Sequence, residues 1–163
     1  MLKPAQMYEE QLNIKNINSW YNPENIFFDC WTGQSVIDLP EDNYNSHHFV
    51  SVDSKNKVIG YITYTVDWIS SSASGFGIIS FDKGNVLFAK DVYTAICDIF
   101  DKYHFNRIEW YCYTDNPAIK SYRRFIQKHG GQECGYLRQV KKLQDGRFHD
   151  SVIFEILNDE FRR

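Results

Sequence analysis

No stretch of this sequence approaches the ~18 consecutive apolar residues of a membrane-spanning helix. The first residues, MLKPAQMYEEQLN, also lack the apolar core of a secretory signal, so the expected location is the cytoplasm. Cysteine is sparse: Cys30, Cys97, Cys112 and Cys134 form no CxxC pair, and no histidine stands at metal-ligand spacing from them. That excludes a zinc framework and leaves reduced core thiols as the reading of Cys97 and Cys112, which fall inside periodic segments. His47-His48 is no better as a metal pair, because neighbours on a strand point to opposite faces. A large excess of one charge is missing too. The formal net charge is −3, which as a whole calls for neither nucleic acid nor a membrane surface.

Apolar material, by contrast, is plentiful. Hydrophobic residues make up 43% of the 163 positions and aromatics 17%. That suffices for a packed core and excludes disorder. The length suits one domain over residues 1–163, burying roughly 70% of the surface of the unfolded chain. Charge is uneven along it. From Lys102 to Arg147 there are ten Lys/Arg against four Asp/Glu. Such a stretch is either a solvated helix and hairpin or a surface for a polyanionic ligand.

The order of elements follows from periodicity. Residues 6–17 read as a short helix, and 18–45 as irregular, with a helical turn or lid within it. His48–Val52 and Val58–Trp68 alternate and are rich in β-branched and aromatic residues, which predicts an antiparallel hairpin across DSKNK. Ser70–Ser74 is a turn and Gly75–Phe81 a third strand, its glycines marking a bulge or a close backbone approach. Ala89, Val92, Tyr93, Ile96, Ile99, Phe100 and Tyr103 repeat at helical spacing, and Arg107–Thr114 is the next strand. Strand, helix, strand in this length is a crossover, so the two strands are expected to be parallel. The loop Gly84–Ala89 then presents the free amides of a helix start, a weak phosphate-binding signal by itself.

A second strand-to-helix junction lies at NPAIKSYRRFIQKHGG, residues 116–131. Asn116 is suited to cap a helix, Pro117 fits its first turn, and Gly130-Gly131 stops it. Tyr122 lies nearly two turns in, as either a core aromatic or a reacting group. Tyr136–Leu143 and Phe148–Leu157 flank Asp145-Gly146, a hairpin signal.

Asn116, Ala118 and Tyr122 resemble the Asn, Ala and Tyr with which the GNAT superfamily of N-acetyltransferases opens this helix, and Lys128 with Gly130-Gly131 resembles its ending. Gly135-Tyr136-Leu137-Arg138 and Asp145-Gly146 with Asp150 look like the closing hairpin of the branch that includes ribosomal-protein N-terminal acetyltransferases, with Phe154 where that branch often has Tyr. The family's phosphate loop, Gln/Arg-x-x-Gly-x-Gly/Ala, is matched only at Ala89, with Gly84 and Leu87 at its other two positions. The resemblance spans residues 50–160. It implies an α+β (α/β sandwich) fold: a mixed, mostly antiparallel sheet of six or seven strands with a splayed central parallel pair, flanked by about four helices.

The resemblance also implies a site. Acetyl-CoA would be cosubstrate, with no metal. Its pantetheine arm would meet Ile79, Ser80, Phe81 and Asn116, and its pyrophosphate the loop Gly84, Asn85, Val86, Leu87, Phe88 and Ala89. Arg123, Arg124 or Lys128 could reach the 3′-phosphate or be plain solvated charges. Tyr122 would return a proton to the departing thiolate. Candidates for the base are Glu133, His149, Asp150, Asp67 or a water chain. The partner would be an amine-bearing small molecule or protein N-terminus. A homodimer is compatible with this reading; a membrane is not expected, and nucleic acid is disfavoured. Two other readings stand beside acetyl transfer: a GNAT-fold binding module without turnover, and a polyanion- or RNA-binding domain built on residues 102–147.

Overall fold

The computed structural model describes residues 1–20, 22–28 and 36–163. The chain opens with strand β1 (Leu2–Pro4) and helix α1 (Glu9–Trp20), joined by a 3-10 turn at Ala5–Tyr8. A second 3-10 turn, Pro23–Asn25, precedes β2 (Ser46–Val52), β3 (Val58–Asp67) and β4 (Ser72–Ser80). Helix α2 (Val86–Cys97) runs on as one π-helical turn, Asp98–Lys102, into β5 (Arg107–Tyr113). Helix α3 (Ile119–His129), β6 (Gln132–Lys142) and β7 (Phe148–Leu157) complete it. The seven strands form one sheet in the order β1-β2-β3-β4-β5-β7-β6. Every neighbouring pair is antiparallel except β4 and β5.

The predicted α+β sheet with one parallel pair is therefore present. The described residues hold three α-helices rather than about four, because segment 22–28 winds only a single 3-10 turn. Part of the segment expected to be irregular, 29–35, lies outside the described residues. Strand β1 was not expected, and several boundaries move: α1 runs Glu9–Trp20, α3 begins at Ile119 and β6 at Gln132. β4 begins at Ser72, inside the expected turn, since Ser72 and Ala73 pair with β5. Helix α2 takes in Val86–Ala89, because Asn85 caps it there: its Oδ1 accepts the amides of Leu87 at 2.9 Å and Phe88 at 3.2 Å.

Alternation divides the core. Adjacent residues Phe49 and Val50 on β2 face opposite sides of the sheet and join different clusters. On one side, Ile96, Ile99 and Phe100 of the α2 region and Ile119, Tyr122 and Phe125 of the α3 region pack with Tyr64, Ile108, Trp110 and Phe154. On the other, Leu12 of α1 packs with Val50, Val52, Val58, Tyr61 and Ile79. Helices α2 and α3 thus lie on the same side of the sheet.

Candidate active site

β4 and β5 share only two rungs, Ser72↔Arg107 and Ala73↔Ile108. Beyond them each strand keeps its outer partner. β4 continues along β3 as far as Ser80, and β5 pairs with β7 through Tyr113. The two strands therefore part, leaving a slot between facing backbone edges. A bulge sits where they separate. Thr63 and Thr65 of β3 oppose Gly77 and Ser74, so β4 carries one extra residue around Gly75-Phe76. Gly75 takes φ 63°, a conformation that glycine adopts without a Cβ penalty.

The predicted site residues divide among three places. Ile79, Ser80 and Phe81 lie at the far end of β4, on the slot. The Ile79 side chain is buried in the α1-side core, and the Phe81 amide is bonded to Ile59 O at 3.0 Å. The second group is the loop and first turn of α2. Gly84 takes φ 79° at the apex. Val86 is exposed, and the Phe88 ring is core, pressed on Gly60 so closely that a Cβ there would overlap it. The amides of Leu87 and Phe88, predicted phosphate donors, are held by Asn85, whose Nδ2 in turn donates to Asp82 at 2.7 Å. Ala89 N bonds Asn85 O at 3.1 Å as an ordinary helical amide.

The third place is the head of α3. Asn116 lies in the turn after β5, its Oδ1 accepting the amide of Ala118 at 2.9 Å. The regular helix begins three residues after Asn116. Ala118 O receives both Ser121 N and Tyr122 N, so the first turn is mixed 3-10 and α. Tyr122 is partly buried, its ring edge-on to Trp110 and to Phe154, both at 6.0 Å. Burial pushes its phenol well above the ordinary value, and the nearby Cys112 adds to this. Burial likewise pushes the Cys112 thiol up to about 12, so it is an inert core thiol.

The charged candidates are mostly engaged elsewhere. Arg123 pairs with Glu133 through two bonds, 2.6 and 3.3 Å, and Arg124 donates to Lys120 O at 3.2 Å. Asp150 accepts the Gln139 amide at 2.7 Å and the Tyr136 hydroxyl, pinning a bulge in β6. Asp67 caps a turn through the amides of Ile69 and Ser70. His47 stacks on Tyr64 and His48 bonds the Tyr61 hydroxyl, so the two rings diverge. Among the described residues no group of three or more His, Cys, Asp or Glu converges as a metal site.

His149 differs from the other base candidates. It is buried, with Nδ1 2.8 Å from Asp115 and Nε2 3.1 Å from Asp145. The rings of Phe27 and Tyr113 lie edge-on to it at 5.9 Å. The two carboxylates, Asp145 first, raise its pKa, and the bond from His149 leads in holding Asp145 well below the carboxylate range. Asp145 was legible as the hairpin residue four before His149; Asp115 comes from another connection and only the fold brings it in.

The sign of the pH effect follows. His149 is raised in the folded state, so its stabilisation is complete below pH ~6.5 and lost as the pH rises through the folded pKa. Burial lowers His47, whose contribution is present above pH ~6.5 and lost as the pH falls through its folded pKa. Urea midpoints measured from pH 5 to 9 should therefore fall on the alkaline side in the wild type. They should fall less in His149→Gln; an equal alkaline fall in the two proteins refutes the assignment.

No family profile matches the chain, and no curated protein is similar to it in sequence. Solved structures are similar to it in fold. The spermidine/spermine N-acetyltransferase SpeG from Vibrio cholerae, in complex with manganese ions, superposes with a TM-score of 0.64 at 24% identity, over 74% of this chain and 69% of that one. A dodecameric structure of spermidine N-acetyltransferase from Vibrio cholerae matches with a TM-score of 0.64 at 23% identity, over 72% and 68%. The chain has the GNAT fold that these acetyltransferases share. At this identity the likeness is one of fold, and it does not single out the ribosomal-protein branch.

Proposed function

We propose that this chain is an acetyl-CoA-dependent N-acetyltransferase acting on a primary amine by direct attack in a ternary complex. The observation that carries the reading is the parting of β4 and β5 after two rungs, with the Tyr122 ring edge-on to Trp110, which stands on β5 just past the last rung. A pantetheine arm has the shape and hydrogen-bonding groups to pair with strand edges that lack a neighbour. The neutral amine nitrogen then bonds to the thioester carbonyl carbon, the C–S bond breaks, and the amine gives up a proton to water, from which Tyr122 is afterwards reprotonated. Tyr122, held neutral by burial, supplies the proton that the thiolate takes. Alignment in a dry slot provides much of the rate.

A binding module without turnover is the second reading, and Asn85 is the observation that favours it. With its Oδ1 on two amides and Asp82 beside it, the head of α2 is already closed to a phosphate. The polyanion reading has less behind it, since Arg107, Arg123 and Arg147 each sit against carboxylates. Among the described residues no helix is long and apolar enough to cross a membrane.

The deciding experiment measures thiol release from acetyl-CoA over an amine panel that includes spermidine, the substrate named for the structural neighbours. Release with at least one amine supports the enzyme. A CoA-dependent rise in melting temperature without release over the whole panel favours the binding module. Asn85→Gly should tighten CoA binding several-fold, because glycine frees both amides at a cost of only a few tenths of a kcal/mol in the cap. Calorimetric titration checks it; weaker binding in the variant would make Asn85 a ligand instead of a competitor.

A further inference from the structure

Among the described residues, buried side-chain nitrogens without a hydrogen-bond partner occur on two side chains, His47 and Trp110. His47 lies two strands away from the slot, on β2, in an aromatic stack with Tyr64. Trp110 is different, because it is the first residue of β5 past the last rung whose side chain lies on the same side as Ile108. Its indole Nε1–H is a donor with no acceptor, and it is 95% buried. Leaving such a group unpaired costs about 1–3 kcal/mol, and native structures hold few of them.

Its surroundings limit where an acceptor could come from. On the β7 side, Phe154 stands directly opposite Trp110 in register, and the two rings are stacked at 5.3 Å with planes 9° apart. A stacked indole keeps its N–H in the ring plane, so the Phe154 face does not receive it. Over the helix layer lies Tyr122, edge-on at 6.0 Å. Toward β4 the sheet forms no rung beside Trp110, the last being Ala73↔Ile108.

We propose that Trp110 Nε1–H is the preorganised donor for a carbonyl oxygen of the acyl-pantetheine arm, which makes Trp110 a binding residue of the slot. This rests on the acetyl-CoA reading above and adds to it a named side-chain donor beside Tyr122. The nitrogen is closed to water in the free protein, so seating the arm must part its neighbours by the width of one oxygen atom. A water-excluded donor is worth more to its ligand than an exposed one.

The test is nuclear magnetic resonance of the indole N–H groups of the full chain, with Trp20, Trp31, Trp68 and Trp110 assigned through single Trp→Phe variants. Addition of acetyl-CoA should move the Trp110 indole proton downfield. A shift with CoA as well assigns the acceptor to an amide carbonyl of the arm, and a shift with acetyl-CoA alone assigns it to the thioester. Trp110→Phe should weaken cofactor binding or slow transfer about 10-fold, the worth of one hydrogen bond. Backbone amides of β4 that respond to cofactor while the Trp110 indole stays in place would overturn the proposal and leave the acetyl-CoA reading intact. No response anywhere would overturn both.

Discussion

Tyr122→Phe is expected to lower acetyl transfer about 100-fold, the lower end of what a positioned proton donor contributes. CoA affinity should hardly change. The substitution removes one oxygen and leaves the ring that meets Trp110 and Phe154, so the packing beneath α3 survives. Phenylalanine also cannot be confused with an unfolded variant, since the ring is the part that the core uses. The pH profile separates chemistry from packing. Burial raises the phenol, so wild-type turnover should show no loss from Tyr122 ionising below pH ~10, and any alkaline limb in that range belongs to another group. Steady-state kinetics with acetyl-CoA and the best amine of the panel decide the matter: unchanged kcat removes Tyr122 from the reaction.

Gly131→Ala should be strongly destabilising, by about 3 kcal/mol or more. Gly131 takes φ 100°, where an L-residue is strained, and a Cβ there would overlap the carbonyl oxygen of Glu155 and the side chain of Ile156. Neither obstacle can move cheaply. Glu155 is paired in β7 with both β5 and β6, and Ile156 is fully buried in the core. Gly130 is similar, with φ 96° and the backbone oxygen of Glu160 in the way. For a domain of this size the loss corresponds to a drop in Tm of roughly 10 °C. Urea unfolding of Gly131→Ala next to Gly146→Ala makes the comparison sharp, because Gly146 has φ 78° but open space around it. Equal losses at the two sites would show that backbone strain alone acts, without the clash.

Both predictions sit on the junction that the sequence advertised most clearly. The apolar repeat through His129 and the Gly130-Gly131 stop survive without knowledge of the fold, whereas the expected cap does not: Asn116 and Pro117 lie in the preceding turn and α3 begins at Ile119 without a side-chain cap. The strands were legible for the same reason, with their alternation set by the two-residue period of a pleated sheet. Asn85 was legible only in part. It was counted among the phosphate-loop residues, but a side chain of that length closes on its own helix amides, and its choice of partner depends on where the helix begins.

Apart from strand β1 and the number of helices, element types, their order, the crossover and the glycine stops followed from this sequence alone, because each is fixed by hydrogen bonds and side-chain spacing within a few residues. Tertiary structure decided the remainder. It set the number of rungs that β4 and β5 share, left the indole of Trp110 without an acceptor, and delivered Asp115 and Asp145 to the two nitrogens of His149. Those outcomes depend on strands from distant parts of the chain meeting in register, with a bulge placed where two of them part. Pairing across such distances is settled by the packing of the whole sheet, which no local pattern encodes.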